Sequence, residues 1–262
     1  MLQAVEAFQL PPGEAVSIET HEETLFIQRQ PQQWVLARVN REAPACSLQR
    51  ALCIERNVTM PDQANTWQRW SNAEQESTLR IVPCMADKNL VARPTQPILI
   101  PHGRKPYFYV SLPLMYQLYI GNNKRPLIEF FVEKLPLTWF GSNTRRGELC
   151  YEIESGLVQS IDELPAAPHR AILEVRVHNR DPEHLSIDKL NLPAQFLPVY
   201  RVDGQHYWTC PLTITNEKLT DELSLHYGKS VPCRHEQLQL ISEPRMRSEA
   251  RTILRALEAI IG

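Results

Sequence analysis

The segment Thr138–Tyr151 holds the residue types that are most able to form a binding or catalytic site. It reads TWFGSNTRRGELCY, so two large aromatic residues precede a polar loop between glycines, and a carboxylate follows it. Ligand pockets are typically walled by aromatic side chains with a few charged groups among them. One interpretation is therefore a pocket walled by Trp139 and Phe140 and lined by Glu148 and by Arg145 or Arg146.

The same segment also has a structural interpretation, which we favour. Its glycines permit a tight connection between two strands, and its aromatic residues would belong to the core. Glu148 would then pair with an arginine at the surface, where ion pairs contribute little to stability.

Cysteine chemistry is a weaker possibility. Cys150 alternates with the carboxylates of Glu148 and Glu152, which raise the pKa of a nearby thiol and disfavour a nucleophilic thiolate. Cys233 and His235 are close in sequence but match no zinc-binding pattern, and no C-x-x-C pair is present. Phosphate-binding glycine loops and hydrolase or metalloprotease motifs are also missing. We expect no catalytic residue, no metal site and no cofactor, and this lowers the expectation of an enzyme.

Composition excludes some classes of partner. The formal net charge is −2, whereas nucleic-acid binders usually need a basic surplus to neutralise phosphates. No segment approaches the roughly 18 apolar residues of a membrane span. The N-terminal sequence lacks the basic start and apolar run of a secretory signal, so we expect a cytoplasmic protein with reduced cysteines.

Alternation of apolar and polar residues dominates the chain and predicts strands. The best example is Tyr107–Ile120, where seven apolar residues occupy the even positions and Pro113 implies a bulge or an edge. Asn57–Ser77 is rich in polar residues and is predicted to be a loop. The 21 prolines favour many short strands. We predict an all-β fold with two β-sandwich-like domains, residues 1–163 and 164–242.

The C-terminal residues 243–262 have a different, helical spacing. Ser242 can cap a helix and Pro244 suits its first turn. The predicted apolar stripe comprises Met246, Ala250, Ile253, Leu254, Leu257, Ile260 and Ile261. This amphipathic helix could dock on a sheet of its own chain, which we favour, or on a second copy, a protein partner or anionic lipid. In the partner case the contact residues would include Arg247, Ile253, Leu254 and Leu257.

Three motifs together resemble a known family. TWFG at Thr138–Gly141 with GELCY at Gly147–Tyr151 is the central motif. LFIQRQPQQWVLARV at Leu25–Val39 and VYRVDG at Val199–Gly204, followed by YWT, accompany it. The chain resembles the archaeal and bacterial domain-of-unknown-function family 432 over nearly its whole length. The resemblance implies no activity and no site residues.

Two functional hypotheses follow. The first is a non-catalytic scaffold or binding protein, which works through a protein or small-ligand surface. The alternative is an enzyme or a metal- or small-ligand-binding protein with its site at the loop within Thr138–Tyr151. The missing catalytic motifs favour the first hypothesis.

Overall fold

The structure is a computed structural model, and it describes residues 6–41, 52–71, 76–141, 147–164, 167–204, 206–217, 223–232, 238–247 and 252–253. Strands make up more than half of the residues that the structure describes, and these residues contain no helix of seven or more residues. The predicted all-β class is confirmed. No helix in this part of the chain is long and apolar enough to cross a bilayer.

The strands are short and are numbered here in chain order. They are β1 Glu6–Gln9, β2 Ala15–Glu19, β3 Glu23–Arg29, β4 Gln33–Asn40, β5 Cys53–Arg56, β6 Thr66–Ser71, β7 Thr78–Cys84, β8 Leu90–Ala92, β9 Ile98–Ile100, β10 Tyr107–Pro113, β11 Met115–Ile120, β12 Ile128–Phe131, β13 Leu137–Phe140, β14 Glu148–Ile153, β15 Arg170–Asn179, β16 Leu185–Ile187, β17 Leu190–Leu192, β18 Val199–Val202, β19 His206–Trp208, β20 Leu212–Asn216, β21 Ser224–Tyr227, β22 Leu238–Ser242 and β23 Thr252–Ile253. Two single-turn 3-10 helices lie at Ile161–Glu163 and Ala194–Phe196.

The chain divides into two compact units, each made of three segments. Unit 1 comprises Met1–Cys84, Leu114–Lys134 and Ala167–His169, and unit 2 comprises Met85–Pro113, Leu135–Ala166 and Arg170–Gly262. The predicted limits of two independent domains, residues 1–163 and 164–242, stay a prediction.

The described residues of unit 1 form two antiparallel sheets. Their strand orders are β1-β7-β11-β12 and β5-β2-β3-β4-β6. In β3 the fully buried residues Leu25 and Ile27 alternate with partly exposed ones, because successive side chains of a strand point to opposite faces. In β4 the four successive residues from Trp34 to Ala37 are buried, so this strand is covered on both faces.

Unit 2 is organised around β15, the longest strand. β15 pairs antiparallel with β10 on one side and parallel with β19 and β20 on the other. Leu173, Val175 and Val177 share its fully buried face. A four-stranded sheet of order β13-β14-β8-β17 and a two-stranded sheet of β16 and β9 complete the unit.

The predicted strand Tyr107–Ile120 is two strands. β10 ends at Pro113 and β11 begins at Met115, and they belong to different sheets. Proline cannot donate to a strand ladder, so it commonly marks a strand end. The next residue, Leu114, instead donates its backbone N–H to the carbonyl oxygen of His169 at 2.9 Å. Alternation is the same on both sides of the break, so the sequence pattern alone does not show it.

The predicted C-terminal amphipathic helix is wrong. Ser242 is the last residue of β22 and is no helix cap, and the residues from Glu243 to Arg247 are irregular. Thr252–Ile253 form a short strand that pairs antiparallel with β21. The apolar residues at helical spacing had suggested a helix, but pairing with a neighbouring strand decides the conformation of Thr252–Ile253. Leu254 and Leu257 lie outside the described residues.

Candidate functional site

Strand pairing places the predicted pocket residues on opposite faces. β13 and β14 are antiparallel, with Trp139 opposite Leu149 and Phe140 opposite Glu148. Directly opposed residues share a face and neighbouring residues in a strand do not. Trp139 therefore lies on one face, and Phe140 and Glu148 lie on the other. Arg145 lies outside the described residues, and the predicted pocket stays a prediction.

Glu148 is exposed, yet it serves as an acceptor for two buried amides. Its Oε1 accepts hydrogen bonds from Nδ2 of Asn89 at 2.8 Å and from Nδ2 of Asn191 at 2.7 Å. Asn89 and Asn191 are only 6% and 3% exposed. Buried amide groups require hydrogen-bond partners. Glu148 therefore links β14 to β17 and to the residue that precedes β8.

Cys150 shares the face of Glu148 but is fully buried, in a small cluster with Val91 and Phe140. Burial, and secondly the negative charge of Glu148, raise the pKa of the Cys150 thiol to about 12. The ammonium group of Lys189 lies 4.9 Å from the centre of the Phe140 ring. Because its thiol stays protonated at neutral pH, Cys150 is a poor nucleophile, which agrees with the expectation from sequence.

The raised pKa of Cys150 predicts a specific loss of stability in alkali. An unperturbed thiol ionises near 9.0, so above that pH the folded chain retains a proton that the unfolded chain releases. The free energy of unfolding then falls by up to about 1.4 kcal/mol per pH unit from this group. Urea denaturation at about pH 8 and about pH 10 should show roughly 1 kcal/mol more loss for the wild type than for Cys150→Ala. Equal losses for the two proteins would contradict this origin.

A second polar group lies at the end of the motif, on Tyr151. Its hydroxyl donates to Oδ1 of Asp87 at 2.9 Å, and Nζ of Lys88 lies 2.7 Å from Oδ2 of the same carboxylate. Burial acts to raise the pKa of Asp87, but the hydrogen bonds from Lys88 and Tyr151 outweigh it and hold that pKa below its usual value. The segment between β7 and β8 is thereby fixed to β14.

The face of β13 and β14 that lies opposite to Glu148 and Cys150 carries an exposed strip of large apolar side chains, comprising Leu137, Trp139 and Leu149. They are 57%, 45% and 46% exposed. Ile153 and Leu90 are on this same face of the sheet and are buried. The apolar face of this sheet therefore has a buried part, at Ile153 and Leu90, and continues from it into the exposed strip.

Gly147 leaves space for the side chain of Trp139. A Cβ atom at position 147 would lie 2.3 Å from Nε1 of the Trp139 indole, far inside van der Waals contact. Any side chain at this position would force the indole to move. The second glycine of the motif is therefore needed for packing, because only glycine leaves room for the indole of Trp139 in this position.

β13 is an edge strand among the described residues, since it pairs only with β14. The carbonyl oxygen of Pro136 accepts from the N–H of Glu152 at 2.8 Å. Hydrogen-bonded pairs alternate along an antiparallel ladder, so the next such pair is Thr138 with Cys150. The backbone N–H and C=O groups of Leu137 and Trp139 consequently point away from β14.

An aromatic cluster with a buried carboxylate was not expected from the sequence. The Tyr109 ring meets the rings of Tyr107 and Trp208 edge to face, at interplanar angles of 74° and 86° and centroid distances of 5.7 and 6.5 Å. Glu174 lies opposite Tyr109, is 7% exposed, and its carboxylate is 2.5 Å from Nε of Arg176. The antiparallel register of β10 with β15 and the parallel pairing of β19 with β15 bring these residues together.

The residues expected to contact a partner through the helix are only partly described. Arg247 is exposed, and Ile253 pairs with Ser224 in the ladder of β21 with β23. Among the residues that the structure covers, no group of three or more histidine, cysteine or acidic side chains is arranged to hold a metal ion.

Curated proteins and solved structures contain no significant match to this chain. One family model does match, and it spans residues 6–260, which is nearly the whole chain. Its description is "Protein of unknown function (DUF432)". The family predicted from the three motifs is confirmed, and the chain belongs to the DUF432 family.

Proposed function

We propose that this protein is a non-catalytic binding protein that contacts another polypeptide through the exposed strip. The observation that carries the proposal is the grouping of Leu137, Trp139 and Leu149 on one face of an edge strand pair. Single exposed apolar residues are normal, but a contiguous group of them commonly marks an interaction site. Tryptophan is also among the residues that most often dominate binding energy.

The chemistry of the other face of β13 and β14, which holds Glu148 and Cys150, supports binding over catalysis. The Glu148 carboxylate has one oxygen engaged by two amides, and the Cys150 thiol is buried with a raised pKa. Both groups therefore have structural roles. As part of the same proposal we place the protein in the cytoplasm, supported by the free thiols of Cys53, Cys150 and Cys210.

Photo-crosslinking in cells tests the contact surface. A benzophenone amino acid at Leu149 should form an adduct with another polypeptide, which would be visible as a heavier band on a denaturing gel. The same probe at Leu99, which is 64% exposed in β9, is the control and should form little adduct. Adding Trp139→Ala should weaken the contact by about 2 kcal/mol, or roughly 30-fold in affinity. No adduct at Leu149, or equal adducts at both positions, would contradict the proposal.

A second candidate function is small-ligand binding at Glu148. Its exposed carboxylate is held in position by two buried amides, and such pre-positioning is what a binding group requires. A thermal-shift screen with a panel of metabolites and divalent metals tests it. A ligand that stabilises the wild type and not Glu148→Gln would support this alternative. A screen without such a ligand would count against it.

A further inference from the structure

We propose that the polypeptide which covers the exposed strip is a second copy of this chain, paired through β13 about a two-fold axis at Thr138. The inference rests on the proposed function, because it assigns the partner of the same surface. It follows from three features of β13, which are its outward-pointing backbone groups, its register and its uncharged sequence.

The backbone groups of β13 that point away from β14 are spaced for self-pairing. In an antiparallel pair centred on Thr138, Leu137 of one copy lies opposite Trp139 of the other. Both residues direct their N–H and C=O groups away from β14, so each opposed pair can exchange two hydrogen bonds. The two-fold axis repeats the arrangement, giving four backbone hydrogen bonds. Thr138 then faces its own symmetry mate in a pair without hydrogen bonds.

The same register also joins the apolar faces. Directly opposed residues share a face, so Leu137 of one copy and Trp139 of the other are neighbours on the side that holds the exposed strip. Within each copy, Leu149 lies opposite Trp139 and is therefore on the same face, next to the joined side chains. A register shifted by one residue would send the two strips to opposite faces. Only a pairing centred on a single residue, such as Thr138, merges them.

β13 also lacks the devices that normally prevent edge pairing. Exposed edge strands usually carry charges, prolines or bulges that block the approach of another strand. Leu137–Phe140 contains none of these residue types, and its ladder with β14 is regular. Each strip would shelter the large exposed side chains of the other copy.

The symmetry makes the product a closed dimer. The surface pairs with the same surface of the second copy, so the β13 edges of both copies are hydrogen-bonded and no further copy can add there. Three side chains per copy form a small contact compared with the roughly 800 Å² per partner of standard interfaces. We therefore expect a weak, concentration-dependent dimer.

Sedimentation velocity and a site-specific disulfide test the inference. The full chain should shift from monomer towards dimer over a roughly hundredfold rise in concentration. Thr138→Cys should form a disulfide between two copies on mild oxidation, because opposed residues in a pair without hydrogen bonds are within about 4.5 Å at Cα. Leu137→Lys should abolish the dimer without breaking a bond to β14, because the Leu137 backbone groups point outward.

Thr66→Cys is the matched control, since Thr66 is an exposed threonine on β6, the edge strand of another sheet among the described residues. It should yield no more dimer than the wild type under the same oxidation. A monomer at every concentration together with no excess disulfide at Thr138 would overturn the inference. If Leu149 then crosslinks only to a different polypeptide, the proposed function survives without self-pairing. If it crosslinks to nothing, both fail.

Discussion

Replacing Asn179 with alanine is expected to lower the free energy of unfolding by about 3 kcal/mol. Asn179 is the last residue of β15 and is 1% exposed. Its Nδ2 donates to the carbonyl oxygens of Ile100 at 2.9 Å and Glu183 at 2.8 Å. Its Oδ1 accepts from the N–H of Asp181 at 3.1 Å and from Nδ2 of Asn216 at 3.2 Å. One side chain thus connects three separate parts of unit 2.

Alanine would remove all four hydrogen bonds and leave their partners in a poorly hydrated place. Each lost bond of this kind costs about 1 kcal/mol, with partial relief where water can enter. Urea denaturation gives the difference directly. Asn122→Ala is the control, since Asn122 is exposed in a turn, and it should change stability by no more than about 0.5 kcal/mol. Similar losses for the two variants would show that the hydrogen bonds of Asn179 do not stabilise the fold.

Glu148→Ala is expected to destabilise the protein by about 2 kcal/mol, although Glu148 is an exposed residue. The substitution removes the acceptor of Asn89 and Asn191, whose amides would remain buried. A buried donor left without a partner costs about 1–3 kcal/mol, and water entering beside Glu148 would reduce that cost. Glu148→Gln keeps one acceptor oxygen and should lose roughly half as much.

Glu152 provides the control for this second prediction, because it is on the same face of the same strand. It forms an ion pair with Nε of Arg93 at 2.6 Å, and both side chains are substantially exposed. Such pairs contribute about 0–1 kcal/mol, so Glu152→Ala should be nearly neutral in urea denaturation. A loss for Glu148→Ala no greater than that for Glu152→Ala would mean that the two asparagines do not depend on Glu148.

The all-β class could be predicted because a half-buried strand requires alternation, which a single sequence displays directly. The C-terminal helix was predicted wrongly because an apolar stretch can satisfy a helical period by chance. β22 continues to Ser242 and Thr252–Ile253 pair with β21, and neither pairing is visible in local spacing. The predicted loop Asn57–Ser77 likewise contains β6, whose residues are mostly exposed and therefore lack an apolar pattern.

The contacts within the candidate site could not be predicted from local sequence either. The sequence directs attention to Glu148 because glycines and aromatic residues surround it. Its partners Asn89 and Asn191 are 59 and 43 residues away, and nothing near either asparagine indicates the contact. The exposure of Trp139 was also unpredictable, because apolar residues of covered and uncovered parts of a sheet follow the same alternation. Only the register of β13 with β14 separates Trp139 from Glu148.

The pairing of β10 with β15 has a consequence for how the chain is made. The paired residues are separated by about 57 positions for Pro113 with Arg170, and by about 69 for Tyr107 with Arg176. At the usual rate of roughly 5–20 residues per second, β10 would wait about 3–14 seconds on the ribosome for its partner. During that interval the apolar residues Phe108, Val110 and Leu112 have no strand to join, and exposed strands of this kind are prone to aggregate. Slow translation before β15 should therefore lower the soluble yield, while the stability of the finished protein stays the same.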